Sequence, residues 1–283
     1  MAQVIFIADF FKEQITDGAE INDNTLIEFF RDKNLLFEKI NSSEVTPSYL
    51  LENKDKYFII SNFVLLKTTC KAILFQFCKY SIYEHDYKFL KCRNPIDFPN
   101  FVAPKYQLTN LNFYKGAHRV VCLSKLQKKI YEGNMNLQNL ENIGTSLFSE
   151  NLITTLLALS KKEKVKEYAV IKSSNTIKRT PETMQFCEQK GWEYDLISNP
   201  DNSKFLETLS GYKNLVFMTG HPEPTPRLAI ECKLMGVNII APKHLIGIAS
   251  EEWFGHRDEK FVYGLRNARQ NAYKMFLRLI NEV

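Results

Sequence analysis

The chain has 283 residues, 45% of them hydrophobic, which is enough to fill the cores of two ordinary domains. A net charge of +5 is mild. It suits a protein that handles small anions and equally a weak contact with nucleic acid or lipid headgroups, so it selects neither.

The elements follow in chain order. A buried-type strand runs over Val4–Ala8, then a loop from Asp9 to Asp17, then a helix with Leu26, Phe29 and Phe30 on one face. Further strand-like runs lie at Tyr57–Ser61, Tyr80–Tyr83 and Arg119–Leu123, with a helical pattern over Leu66–Phe77. After Asn142 and Gly144 comes a helical, increasingly charged stretch to Ser160-Lys-Lys-Glu-Lys164, and the domain junction is expected in this region, at residues 145–165. The second half alternates: strand Tyr168–Ile171, helix Thr180–Lys190, strand Glu193–Ile197, helix Lys204–Gly211, strand Leu215–Met218, helix Pro226–Met235, strand Val237–Ala241. Strands alternating with helices predict an α/β fold with parallel sheets covered on both faces. The last stretch, Gly264–Val283, reads as a helix with Ala268, Ala272, Met275, Phe276 and Leu279 on one side.

Several classes fall away. The opening Met-Ala-Gln-Val-Ile-Phe-Ile-Ala reaches Asp9 too soon for a signal peptide, and no apolar run is long enough to span a bilayer. Peripheral contact with a membrane stays open. The cysteines (Cys70, Cys78, Cys92, Cys122, Cys187, Cys232) are scattered with no Cys-x-x-Cys pair, so neither a zinc site nor a disulfide framework is indicated. A reduced, cytoplasmic setting is the expectation. There is no Gly-x-Gly-x-x-Gly and no Walker loop.

The most specific stretch is Gly220-His-Pro-Glu-Pro-Thr-Pro-Arg-Leu-Ala-Ile-Glu231. Glu223 falls in a Pro-rich loop after a strand, and Glu231 falls in the helix that follows. Thr225 suits an N-cap and Pro226 the first helical position. The free N–H groups of such a turn receive anions. A carboxylate beside them repels phosphate and is better matched to sugar or ribose hydroxyls, two of which it accepts from at once. A second loop, Lys172-Ser-Ser-Asn-Thr-Ile-Lys178-Arg179-Thr180-Pro181, also follows a strand and opens a helix. Cations at a helix N-terminus are unfavourably placed unless they meet an anion such as a diphosphate. Gly18 and Ala19 form a small-residue turn after the first strand, where the backbone comes close to a ligand. His85 follows the strand Tyr80–Tyr83 within Tyr83-Glu84-His85-Asp86. The next residues, Tyr87 to Pro95, mix cations with aromatics in the manner of an acceptor-lining loop or a plain one.

These residues together resemble the retaining nucleotide-sugar glycosyltransferases of the GT-B fold, glycosyltransferase family 4 (glycosyl transferases group 1). The resemblance runs roughly from residue 4 to residue 255, and only the Glu223 region is specific by itself. It implies two Rossmann-like domains facing across a cleft: 1–150 on the acceptor side and 151–283 binding the nucleotide sugar, with the terminal helix 264–283 crossing back. It implies that Glu223 contacts the donor sugar, Glu231 the ribose hydroxyls, Lys178 the diphosphate, and His85 the donor sugar from the other domain. Gly18, Ala19, Thr225 and Pro226 belong to the same donor site. The chain departs from the pattern in three places. Thr225-Pro226 replaces the frequent Phe-Gly, the first diphosphate Arg is missing, and Arg179 stands where the family has Gly. Either Lys172 or Arg179 supplies the second charge.

The expected function is hexosyl transfer from a nucleotide diphosphate sugar to a hydroxyl, with retention of configuration. UDP-glucose is the donor most frequent in the family. No metal or other cofactor is expected, because the chain has no Asp-x-Asp and no ligand cluster. The acceptor is unread: carbohydrate, lipid, protein or nucleic acid all remain, although a DNA-modifying enzyme is expected to carry a longer basic groove. A sugar-nucleotide epimerase of the same fold and a non-catalytic nucleotide-sugar binder are the alternatives, separable by product analysis.

Overall fold

The computed structural model describes residues 2–282; Met1 and Val283, at the outer ends of the two expected domains, lie outside the described residues. The chain forms two compact units, Met1–Leu147 with Ser250–Val283, and Phe148–Ala249.

The first unit alternates strands and helices: β1 (Val4–Ala8), α1 (Gly18–Asp32), β2 (Leu36–Asn41), α2 (Pro47–Glu52), β3 (Tyr57–Ile60), α3 (Thr68–Phe77), β4 (Lys79–Tyr83), α4 (Leu111–Gly116), β5 (Arg119–Cys122), α5 (Lys125–Asn134) and β6 (Leu140–Asn142). All strands are parallel, in the order β2-β1-β3-β4-β5-β6. The central strands are continuous apolar runs, as a sheet covered on both faces requires. Alternation of side chains splits them into two layers. Ile5, Ile7, Phe58, Ile60, Tyr80 and Ile82 share one core, while Val4, Phe6, Tyr57, Ile59 and Tyr83 share the other.

The second unit holds α6 (Glu150–Leu159), β7 (Lys166–Ile171), α7 (Thr180–Gln189), β8 (Tyr194–Ile197), α8 (Asn202–Leu209), β9 (Tyr212–Val216), α9 (Arg227–Leu234) and β10 (Asn238–Ile240). Its parallel sheet runs β10-β9-β7-β8. Both sheets are therefore wound in the same sense, with the strand order reversing between the first and third strands of each. Crevices at such reversals, beyond the carboxyl ends of the strands, are where open α/β sheets take ligands.

The last helix, α10 (Asp258–Asn281), belongs to the first unit. Its Ala272, Phe276, Leu279 and Ile280, at helical spacing, join the layer of Phe6, Phe30 and Tyr83. Phe276 meets Phe30 and Tyr83 edge-on, at centroid distances of 6.2 and 5.2 Å. Among the described residues no helix is long and apolar enough to cross a membrane.

Two strands escaped the sequence. β2 (Leu-Phe-Glu-Lys-Ile-Asn) and β6 (Leu-Glu-Asn) are sheet edges whose residues are only half buried, so they carry charged and amide side chains instead of an apolar run.

Phe276 is fully buried. Phe276→Ala should cost about 3–5 kcal/mol by urea unfolding, the usual range for a truncated core aromatic. A loss below about 1 kcal/mol would show that α10 is not part of this core.

Candidate functional site

β7 and β9 lie side by side in register, with Ala169 opposite Leu215 and Val170 opposite Val216. The loops that leave their carboxyl ends therefore emerge as neighbours at the strand reversal. Residues 172–179 follow β7, and residues 217–226 follow β9. The first loop is folded on itself. Thr180 Oγ1 donates to the Ile171 carbonyl (2.8 Å) and accepts from Ser173 N (3.1 Å), while Asn175 Oδ1 accepts from Ile177 N (3.0 Å). The two loops are joined by Gly220 N donating to the Ile177 carbonyl at 3.0 Å.

This pairing brings Lys178 against Glu223. Lys178 Nζ donates to Glu223 Oε1 at 3.3 Å and lies 5.2 Å from the centre of the Phe217 ring. Glu223 is held by its backbone on the far side: Glu223 N donates to the Leu245 carbonyl and Gly247 N to the Glu223 carbonyl, each at 2.8 Å. The ion pair is partly open to solvent, with side-chain exposures of 35% and 17%, so its net worth is only about 0–1 kcal/mol. Such a pair parts readily when an anion engages the lysine and a hydroxyl the carboxylate.

Of the two further cations, Lys172 is exposed, and its backbone N–H donates to the Ile197 carbonyl. Arg179 has a left-handed backbone, φ +46°. That conformation favours glycine, and a side chain in it costs about 1–2 kcal/mol. Its side chain lies over the opposite loop: a Cβ added at Gly220 would come within 2.5 Å of Arg179 Nε. Gly220 thus leaves room for Arg179 to reach the loop of Glu223.

Glu231 is 5% exposed, on α9, with Arg227 Nε 3.7 Å from its Oε1. Arg227 in turn stacks 4.0 Å over the Phe148 ring. Burial pushes the Glu231 carboxyl above its ordinary range, and Arg227 pulls the other way.

One local expectation needs correction. Thr225 is not the N-cap of α9. The helix opens at Arg227 after Pro226, which is itself the N-cap and lends no side-chain hydrogen bond, while Thr225 is buried before it. Thr180 and Pro181 are the first two residues of α7, and the Thr180 hydroxyl binds the preceding loop. Gly18 and Ala19 are the first two residues of α1.

In the first unit His85 follows β4. Its Nε2 lies 2.7 Å from Asp23 Oδ1 of α1, with side-chain exposures of 6% and 1%. Glu84 and Asp86, on either side of it, both pair with Lys88, and Asp86 also pairs with Arg93. Tyr114 donates to Glu84 Oε2. Burial raises the Glu84 carboxyl; Lys88 and Arg93 overcome the same effect at Asp86 and hold it well below the carboxylate range. Tyr87, Lys88 and Phe89 are buried, so this part of the aromatic and basic stretch after His85 is core, not a ligand-lining loop. The network was not visible in the sequence. Asp23 left a faint signal, because Glu20, Asp23, Ile27 and Phe30 share the helical spacing of one buried stripe.

No protein-family model and no curated protein sequence matches the chain. Solved structures do share its fold. HepE of Anabaena, in complex with UDP and glucose, superposes with a TM-score of 0.57 at 9% identity, over 98% of this chain and 100% of that one. An alpha-glucosyltransferase in complex with UDP-glucose and DNA containing an abasic site gives 0.53 at 12% identity, over 95% and 91%. A glycosyltransferase from Rickettsia africae gives 0.52 at 12% identity, over 99% and 93%. At these identities the likeness is one of fold.

The raised Glu231 carboxyl sets a stability test. A carboxyl whose folded pKa lies above its unfolded one binds its proton more tightly in the folded state, so it lowers stability as pH rises out of the carboxylate range. The Tm of Glu231→Gln relative to the parent should become more positive from about pH 4 to about pH 7. A difference that turns negative over that span would show that the ionised Glu231 supports the fold.

Proposed function

We propose that the protein is a glycosyltransferase of the GT-B, family 4 type. It moves a hexose from a UDP-glucose-like nucleotide diphosphate sugar to an acceptor hydroxyl, with retention and without a divalent metal. The observation that carries this is the Lys178–Glu223 pair at the adjoining strand ends of β7 and β9, with Arg179 over Gly220 beside it. An anion site and a hydroxyl site stand 3.3 Å apart at the reversal of a parallel sheet. That is the juxtaposition at the anomeric carbon of a nucleotide sugar, where a diphosphate adjoins a polyol. The solved structures of like fold, in complex with UDP or UDP-glucose, support the same reading.

In this reading the second unit binds the donor and the first unit serves the acceptor. Diphosphate takes Lys178 and a second cation, and Arg179 is favoured over Lys172 because its side chain reaches the Glu223 loop. Gly18 and Ala19 give the backbone close approach to the donor. Freed from Lys178, Glu223 accepts from sugar hydroxyls, and Glu231 does the same for the ribose. Thr225 and Pro226 shape the turn between them. His85 contacts the donor sugar. Breaking the bond from the anomeric carbon to the diphosphate oxygen builds negative charge on the leaving group, and preorganised cations stabilise that charge most when it is fully developed. With no carboxylate assigned as nucleophile, the acceptor attacks from the face the diphosphate leaves, and its proton passes to the departing phosphate. A reducing, cytoplasmic setting belongs to the same reading.

Lys178→Ala should lower kcat by at least ~10²-fold, the scale for losing one electrostatic stabiliser, with a smaller change in donor affinity. An effect on affinity alone would remove Lys178 from the chemical step. Turnover should survive EDTA; full loss restored by Mg²⁺ or Mn²⁺ would contradict the metal-free mechanism. The product should keep the donor's anomeric configuration by NMR, and an inverted product would refute front-face attack.

A further inference from the structure

The His85–Asp23 contact is costly to maintain. Asp23 is 1% exposed, one oxygen is spent on His85, and the other, Oδ2, is buried with no hydrogen-bond partner among the described residues. Glu20, one turn earlier on α1, is also buried, and burial raises its carboxyl, with Asp23 adding to the rise. The Tyr83 ring stands edge-on to the imidazole at 4.7 Å. Stability does not account for this arrangement. Replacing both partners of a buried polar contact with apolar side chains is often neutral or better, and an orphaned buried acceptor is a loss. Buried unsatisfied groups of this kind call for another explanation, such as catalysis.

The hydrogen bond does fix one thing, the imidazole tautomer. A carboxylate oxygen only accepts, so Nε2 carries the proton and the neutral ring keeps its lone pair on Nδ1. Among the described residues Nδ1 has no hydrogen-bond partner. A lone pair there repels a phosphate oxygen and accepts from an O–H.

We propose that Asp23 is a positioning residue for His85, holding the imidazole in the tautomer whose Nδ1 accepts a hydrogen bond from a substrate hydroxyl. The identity of that hydroxyl as one on the donor sugar rests on the glycosyltransferase reading; the tautomer does not.

Two experiments separate the claims. Long-range ¹⁵N NMR of histidine-labelled protein at about pH 8, above the ordinary imidazole range, should show His85 as the Nε2–H tautomer. Asp23→Asn should shift it toward Nδ1–H, since the amide offers an N–H to Nε2. An Nδ1–H parent, or a tautomer unmoved by the substitution, overturns the proposal. The second readout is UDP release from UDP-glucose. Asp23→Asn should lower kcat by at least ~10²-fold, as wrong-tautomer substitutions do elsewhere, with UDP affinity within about twofold and circular dichroism unchanged. In a His85→Gln background the same substitution should cost nothing further. Independent, multiplying losses would mean that Asp23 acts on structure and not through His85. If the parent releases no UDP from UDP-glucose, the glycosyltransferase reading falls, while the NMR result still decides the tautomer.

Discussion

Parallel pairing of β7 with β9 is the constraint on which the candidate site depends. Parallel neighbours end on the same side of the sheet, and the strand order reverses between these two. Their outgoing loops must therefore share one crevice. The hydrogen bond from Gly220 to the Ile177 carbonyl then sets the loops close enough for Lys178 to touch Glu223. Gly220 has a second role, since any side chain there would collide with Arg179. One cation–carboxylate pair, one glycine and one left-handed arginine thus form a unit, and none of them is explained by stability. The ion pair is worth little in solvent, and the left-handed arginine costs free energy.

The first unit also gathers its buried charge at the carboxyl end of a strand, though one place beyond the reversal between β1 and β3. The carboxyl end of β4 holds Glu84, His85 and Asp86, and the buried Lys88 compensates both acids. The backbone around His85 is pinned further by Gln127, whose side-chain amide donates to the Glu84 and Asp86 carbonyls. A rigid seat of this kind is what a side chain needs if its orientation is to be set by one hydrogen bond that it donates to α1. Buried charge is costly wherever it occurs, so its position at a strand end, and not in mid-sheet, agrees with use in binding or chemistry.

The sequence made the apolar strands and the loops after them legible, because covered parallel strands are continuous runs and their outgoing loops carry the Gly, Pro and Thr that precede helices. Glu223, Lys178 and His85 were singled out by position after a strand together with the resemblance to the glycosyltransferase family. The edges β2 and β6 were hidden by their mixed polarity. The opening of α9 was misread by one residue: Thr-Pro is the usual signature of a cap followed by a first turn, but here the proline takes the cap position. Asp23 was missed because its meaning lies in a contact 62 residues away, with His85. Arg227 was missed for a related reason, since its stacking on Phe148 has no trace in local spacing.

The central claim is that the second unit receives a nucleotide sugar at Lys178, Glu223 and Glu231. A thermal-shift panel of nucleotide sugars tests it most directly, because a ligand that binds only the folded state stabilises by RT ln(1 + [L]/Kd). The account predicts a concentration-dependent rise in Tm with UDP-sugars that is diminished in Glu223→Gln. A panel in which no nucleotide sugar raises Tm, at concentrations up to several millimolar, would contradict it.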